Sequence, residues 1–584
     1  MTGDQTRRFG SFEFNLDTLE LRKSGRLRPF QRQPAMMLRM LIERAGQLVT
    51  RQELQGLLWD EGTFVDCEVG LNAVVRKLRA ALGETRGAPR HIETVARRGY
   101  RFRLGDDALS RGAVTSIAVL PFTTASPEVD YLGDGLTEMT IQEVSQLPGI
   151  KKVIARNSVY RYRADDPLEI GRRFNVQAVL AGGVALAGDR IVLDAELLSS
   201  ADGQRLWGDR YERPSSDAPL LPAEIAASMA RAIGERKPRG RSTVPSFAAY
   251  QLYLQGRYAW NKRPAVGSVE KAIALFELSR QRDPEFPMAH VGLADCYNTL
   301  ASWESGTIVP AVGFEQGKAA ATRALLLDKR NAHAHTSLGY ALLHYDCDFA
   351  AAEREFKQSL RLDPNYSHGH HWYSHLLIAA GRVDEALAES RRILELDPID
   401  LIMNVHLAWH YYMAGHALEA VSEARRVLDM ERSFLWGHFF AGLALDALGE
   451  RHDAVRELEK AVELSGGSTV MLSALGYVRA TAGQRDGAIQ IVDELCRLRA
   501  SRYISAFEIA LIHAALDDVD TAFTWLDRAC DERSGWLPYI TVDPRLASLR
   551  KDARYARVLE RIGLDKHTHA ASVAGAKESQ TTAK

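Results

Sequence analysis

The sequence predicts a multidomain chain of three architectures: a small α+β module at the front, an α/β domain in the middle and an all-α solenoid behind it. Three observations carry this. Residues 9–103 read strand, helix, helix, helix, hairpin; residues 114–235 alternate strands with helices; and a small residue recurs every 34 positions from Ala352 to Ala522. A chain of 584 residues also exceeds what one core supports, so several domains are expected.

The front module (5–105) opens on short alternating strands at Phe12 and Phe14, Leu19 and Leu21, and Leu27. A helix is expected over Pro34–Ala45, then a turn at 46–51, a second helix ending near Trp59 and a third over Cys67–Leu82. The segment closes on Ile92-Glu93-Thr94-Val95-Ala96-Arg97-Arg98-Gly99-Tyr100-Arg101-Phe102, two strands around a turn. In the third helix Leu71, Val75, Leu78 and Leu82 recur at i, i+4, i+7 and i+11, one buried stripe. A step of about 100° per residue puts Ala73, Arg76, Lys77 and Ala80 opposite that stripe, with Asn72 and Arg79 on the flanks.

An α-helix fits the DNA major groove, where Arg or Lys donates to guanine and Asn pairs with adenine. Arg76 and Lys77 are the expected base readers, and Asn72 and Arg79 suit bases or phosphates equally. Arg97 and Arg98, at the hairpin turn, suit the narrow minor groove or its phosphates. Charge agrees: residues 1–105 hold 19 Lys+Arg against 12 Asp+Glu, whereas the remainder holds 55 against 63. The near-neutral total conceals a basic module that attracts duplex phosphates, with an affinity that falls as salt rises. Trp59 and Tyr100 read as core residues rather than base-stacking platforms.

The order of elements and the I-E-T-V-x-x-x-G-Y-R-F ending resemble the OmpR/PhoB-type winged helix-turn-helix of bacterial transcription regulators, over about one sixth of the chain. The resemblance implies a third helix in the major groove and a wing arginine in the minor groove. It also implies that the loop 60–66 faces RNA polymerase and that two copies occupy direct-repeat half-sites, a dimer on DNA.

In the middle domain (114–235), Ser116–Phe122 reads as a buried strand, followed by a helix over Gly135–Leu147 and a strand near Val153. A helix over Leu168–Phe174, strands at 176–186, 190–198 and 204–212, and a helix over Pro222–Gly234 complete an α/β layer fold. Leu132-Gly133-Asp134-Gly135-Leu136 and Asp202-Gly203-Gln204-Arg205-Leu206-Trp207 are similar to the small domain beside tetratricopeptide arrays in bacterial regulators and some cyclases, and to the N-terminal domain of TolB. Residues 236–246 form a basic linker.

The body (247–564) repeats. Ala352, Ala386, Ala420, Ala454, Ala488 and Ala522 are each 34 residues apart, and Gly381, Gly415, Gly449, Gly483 and Asp517 keep the same step five residues earlier. Asp363-Pro364 and Asp397-Pro398 end helices at the same interval. This period resembles tetratricopeptide repeats (TPR): a small residue lets two helices approach, Gly makes the turn between them and Pro stops the second. Eight units are expected, with an extra stretch from Trp303 to Gly313 read as a surface loop or an extended turn, then capping helices to Leu564 and a disordered tail at 565–584. Stacked units present a concave groove suited to a protein or peptide partner.

Catalytic and cofactor chemistry is not expected. Cys67, Cys296, Cys347, Cys496 and Cys530 lack zinc-site or disulfide spacing. Gly133-Asp134-Gly135 lacks the Lys-Ser/Thr of a phosphate loop and reads as a helix cap. His368, His370, His371 and His375 cluster on one repeat helix, with His371 and His375 one turn apart, but no H-E-x-x-H pattern accompanies them and packing is favoured over metal. No apolar run reaches the ~18–20 residues of a membrane span and no signal peptide opens the chain.

These readings converge on a soluble, cytoplasmic, nucleoid-associated, sequence-specific transcription regulator. Its expected partners are double-stranded DNA, RNA polymerase and a protein or peptide in the repeat groove. It is expected to be a non-enzyme with no cofactor, no metal and no receiver domain ahead of the winged helix. The alternative is an interaction scaffold or signalling adaptor whose winged helix does not read DNA.

Overall fold

The computed structural model describes residues 6–9, 12–23, 26–29, 31–44, 48–59, 67–84, 91–95, 99–102, 114–162, 165–235, 244–262, 267–303 and 307–564. It divides into two compact units, the first comprising the residues up to Val114 with Ala232–Gly234, and the second Thr115–Arg231 with the residues from Glu235 onward.

The first unit begins with a four-stranded antiparallel sheet, β1 (Thr6–Phe9), β2 (Phe12–Asn15), β3 (Leu21–Lys23) and β4 (Arg26–Arg28). Helix α1 (Arg32–Glu43) follows and buries Pro34, Ala35, Met37, Leu38, Leu41 and Ile42, the i, i+3, i+4 stripe of an amphipathic helix. Strand β5 (Leu48–Thr50) leads into α2 (Arg51–Leu58), and α3 spans Cys67–Leu82 as expected. The hairpin β6 (Ile92–Val95) and β7 (Gly99–Phe102) closes the module, with β7 central between β5 and β6. Phe12, Phe14, Leu38, Leu54, Leu71, Leu78, Tyr100 and Phe102 share one core, and Trp59 packs partly buried against it.

Gly99 is required where it stands. A Cβ there would lie 2.1 Å from the Val49 carbonyl oxygen, so only glycine lets β7 cross β5 this closely.

The second unit holds the α/β domain and the helical repeats. Strands β8 (Ser116–Val119), β9 (Thr123–Thr124), β10 (Lys152–Ile154), β11 (Ala178–Ala187), β12 (Arg190–Ser199) and β13 (Arg205–Pro214) form one sheet. Its order is β10-β8-β11-β12-β13, with β9 paired to β11. The β10, β8 and β11 pairings are parallel, whereas β11, β12 and β13 form an antiparallel meander. Helices α4 (Asp130–Ser145), α5 (Arg156–Tyr160), α6 (Pro167–Arg173) and α7 (Leu221–Ala232) complete the layers.

Sixteen further helices follow among the described residues, from Phe247–Trp260 to Val519–Asp531, in eight antiparallel pairs. Ala352, Ala386, Ala420, Ala454, Ala488 and Ala522 are all fully buried, as close helix approach demands. The first helix of each pair from Pro287–Ala301 onward packs on the first helix of the next, so these form the inner layer of the array. Three 3₁₀ turns and a last helix, Ala553–Arg561, cap it.

The stretch expected as a surface loop or an extended turn is one only in part: its last residues, 310–313, are already helix and its first, Trp303, is buried. Pro310–Leu327 is a long helix that includes Gly313. Trp303 is 4% exposed, its indole 4.2 Å from that of Trp536 and about 6 Å from those of Trp409 and Trp436. An indole in the turn between the two helices of the second pair is worth more in the core than in water, which seats Trp303 inside while Thr307 and Val309 stay exposed.

The α/β domain is held onto the repeats by hydrogen bonds to helix ends. Ser145 Oγ donates to Asp363 at 2.8 Å and Ser158 Oγ to Asp397 at 2.6 Å. Asn157 Nδ2 donates to Asp400, and the Ala155 backbone N–H to the Leu396 carbonyl at 2.8 Å. Arg257 joins Glu138 of α4 to Asp295; these guanidinium charges, with Arg156, hold the Glu138 carboxyl down at about 2 against the cost of burial. Burial pushes Asp363 up to about 6.

Candidate nucleic-acid interface and the inner face of the repeats

Helix α3 presents the expected surface. Leu71, Val75, Leu78 and Leu82 are buried together with Val74, while Arg76, Lys77 and Ala80 are exposed and Ala73 is half-buried. The pattern is a plain consequence of helical periodicity: the stripe that fills the core turns two cations outward.

The flanking residues part company. Asn72 is exposed, and its Oδ1 accepts from Arg51 Nη2 and from Tyr100 Oη, both at 3.2 Å. Arg79, expected at the DNA-facing flank, is instead drawn inward to 8% exposure. Its Nη2 donates to the Ile92 carbonyl and to Thr94 Oγ1, each at 2.8 Å. A guanidinium engaged by a strand carbonyl and a hydroxyl, with its stem in the core, is a brace rather than a reader. Glu84, just beyond α3, accepts from the backbone N–H of His91 and Ile92 at 2.8 and 3.1 Å. Arg79 and Glu84 together fasten the start of β6 to the C-terminal end of α3. Arg97, Arg98 and the loop 60–66 lie outside the described residues.

Sequence reasoning passed over Arg51. It starts α2, lies 5.7 Å over the Tyr100 ring and reaches Asn72, so a third basic group stands beside the N-terminal half of α3. The local signal was Thr50-Arg51-Gln52-Glu53, a capping box. Thr50 Oγ1 accepts from the Glu53 N–H, and Glu53 accepts from the Thr50 N–H at 2.8 Å. The Thr50 hydroxyl, which also donates to the Glu53 carboxylate at 2.7 Å, and then the Thr50 N–H hold that carboxyl down at about 2, with Arg44 adding to them.

In the second unit the inner layer is not an open trough at its centre. Trp536 and Tyr539, from the segment after the last pair, are buried against it. Tyr539 Oη lies 3.0 Å from His344 Nε2 and 3.3 Å from His375 Nδ1, and its ring packs 5.0 Å from Trp409. Of the four clustered histidines, His370 turns to Glu389 and the Pro364 carbonyl. His368 stacks near Tyr366. His371 and His375 turn inward and meet His406 of the next pair. His406 was not legible as a partner because it comes 35 residues after His371. A repeat of 34 nevertheless places it one position from equivalence. Among the described residues, no helix is long and apolar enough to cross a membrane.

Comparison with known proteins agrees with this geometry. Residues 30–102 match the family described as "Transcriptional regulatory protein, C terminal". The N-terminal module is an OmpR/PhoB-type DNA-binding domain, and the class it defines is that of DNA-binding transcription regulators. Over 420 residues the chain is 24% identical to Transcriptional regulator HilA of Salmonella typhimurium (strain LT2), covering 70% of this chain and 73% of that protein. Over 245 residues it is 31% identical to Putative adenylate cyclase 3 of Rhizobium meliloti (strain 1021), covering 39% of this chain and 40% of that relative, so it spans less than half of the latter's length. The Klebsiella pneumoniae RstA DNA-binding domain, solved in complex with RstA box, covers 17% of this chain and 98% of its own at 26% identity, with a TM-score of 0.16.

Proposed function

We propose that this chain is a sequence-specific transcription regulator in which the winged helix reads duplex DNA and the TPR body binds a protein or peptide. One observation carries the first half: Arg76 and Lys77 stand exposed side by side on α3, while Arg79 and Glu84 brace the hairpin against that helix. Arg76 and Lys77 are the proposed base readers. Asn72 and Arg51 flank them at the backbone, and Arg97 and Arg98 are the proposed wing contacts. For the partner, an open groove lined by Arg354, Lys357, Leu360, Arg361, Tyr373 and Glu389 has a mainly basic rim that suits an acidic segment. Two copies on direct-repeat half-sites, a polymerase contact through residues 60–66, and a cytoplasmic, nucleoid-bound location complete the proposal. The reading is non-enzymatic; cyclic AMP formed from ATP by the full chain would overturn that part.

The test is selection of bound genomic fragments by the full chain, followed by gel shifts across a salt series. Specific affinity should fall steeply with salt. Arg76→Ala or Lys77→Ala should cost the selected site about 1–3 kcal/mol while leaving random duplex less affected. Arg98→Ala should weaken all duplexes evenly. Equal indifference to selected and random fragments at low salt sinks the reading and leaves the scaffold.

A further inference from the structure

Three imidazole nitrogens converge in the inner layer of the repeats. His371 and His375 come from the helix Ser367–Ala379 and His406 from Leu401–Met413. All three are buried, and one nitrogen of each lies within 4.8 Å of the others. His406 Nδ1 is 3.2 Å from His375 Nε2 and 3.1 Å from His371 Nε2. The ring centroids are 4.6, 4.7 and 4.8 Å apart.

The protons of this cluster can be assigned from its edge inward. His344 Nδ1 faces the Tyr340 carbonyl at 3.0 Å, and a carbonyl only accepts, so that nitrogen carries hydrogen. His344 Nε2 then holds a lone pair and accepts the Tyr539 hydroxyl. The Tyr539 oxygen in turn accepts from His375 Nδ1–H, which leaves His375 Nε2 with a lone pair aimed at His406 Nδ1. That one His406 nitrogen also faces His371 Nε2. A single ring nitrogen offers one N–H or one in-plane lone pair, never two. An N–H at His406 Nδ1 would have to be shared between the two contacts, and a lone pair there would face the lone pair of His375 Nε2.

We propose that His371, His375 and His406 form a metal site for a first-row divalent cation with nitrogen preference, zinc(II) in type, beneath Tyr539. A cation resolves the conflict because it accepts all three lone pairs. Zinc bound at about 2.0–2.1 Å sets neighbouring nitrogens about 3.3–3.4 Å apart; the two pairs made by His406 stand close to that, and the His371 and His375 nitrogens lie within 4.8 Å of each other. The donor set is apt: all three residues are buried imidazoles, and each turns a ring nitrogen toward the other two. Tyr539 Oη orients His375 through Nδ1, the outer partner that metal-bound histidines use. The three ligands leave a fourth position for a solvent-derived or incoming group.

The experiment uses the untagged full-length chain, stripped with a chelator and dialysed. Cobalt(II) titration read by visible absorption, and zinc(II) competition against a chromophoric chelator, should give one ion per chain with a tetrahedral nitrogen-ligand spectrum. His406→Phe and His371→Phe should abolish it, and Tyr539→Phe, a positioning change, should weaken zinc about 10–100-fold. His452→Ala, at an exposed histidine, should change nothing. Where a ligand variant fails to fold, the wild-type stoichiometry and spectrum decide. Folded wild-type protein that takes up no ion at micromolar zinc, or a folded His406→Phe that binds like wild type, overturns the proposal.

Discussion

Replacing Arg79 by Met separates a brace from a DNA contact. The guanidinium makes two 2.8 Å bonds, to the Ile92 carbonyl and Thr94 Oγ1, at 8% exposure. Met keeps most of the stem's packing and deletes the donors. A hydrogen bond from a charged group contributes about 1.5–3 kcal/mol net, and the abandoned Ile92 carbonyl adds a desolvation cost. The module should therefore lose about 2–4 kcal/mol, read as a lower denaturant midpoint in its own transition. Affinity for DNA should fall with the folded fraction and with the wing's altered position, but the slope of log K against log salt should stay the same. Loss of a phosphate contact, by contrast, lowers that slope by about 0.9. An Arg79→Met chain that is as stable as wild type and shows the reduced slope refutes the reasoning.

Two further substitutions probe the body. Burial pushes the Glu508 carboxyl up to about 8, against 4.5 for the exposed group, so the folded state resists its ionisation. Its contribution is favourable below about pH 4.5 and is lost as pH rises to about 8. Glu508→Gln should thus exceed wild type in stability by up to about 5 kcal/mol above pH 8, with the gap closing by pH 5; urea unfolding at both pH values measures it, and a gap independent of pH contradicts it. Gly442→Ala gains up to about 1 kcal/mol of helix propensity. The added methyl, however, would lie 2.6 Å from Leu458 Cγ and 3.1 Å from the Ala454 carbonyl oxygen, overpacking that costs about 1–3 kcal/mol. The melting temperature should fall, and a rise shows that the pair can spread.

What was legible followed from period. Gly381, Gly415, Gly449 and Gly483 all adopt the left-handed conformation at the inter-helix turn, and Asp517 takes it too, at φ 60°. Cys347, one step upstream, has φ 52° in the same role and was hidden because it is neither Gly nor Asp. Helix α3 was legible to the residue because a buried stripe of four apolar side chains admits one phase. Arg79 was not: its helical angle placed it on a flank, and only the hairpin's position decides whether a flank meets solvent or strand. Trp303 and His406 were missed for a related cause, since their partners are far along the chain and periodicity within one helix does not report them.

The fastening of the α/β domain carries a consequence for how this body can change. Its two serines reach Asp363 and Asp397, which stand one repeat apart, so the domain acts as a gauge set to a single step of the array. Repeats elsewhere could be gained or lost without disturbing it. Between those aspartates, inserting even one residue would slide one anchor past its serine, and that stretch is therefore the part of the array least free to drift in length.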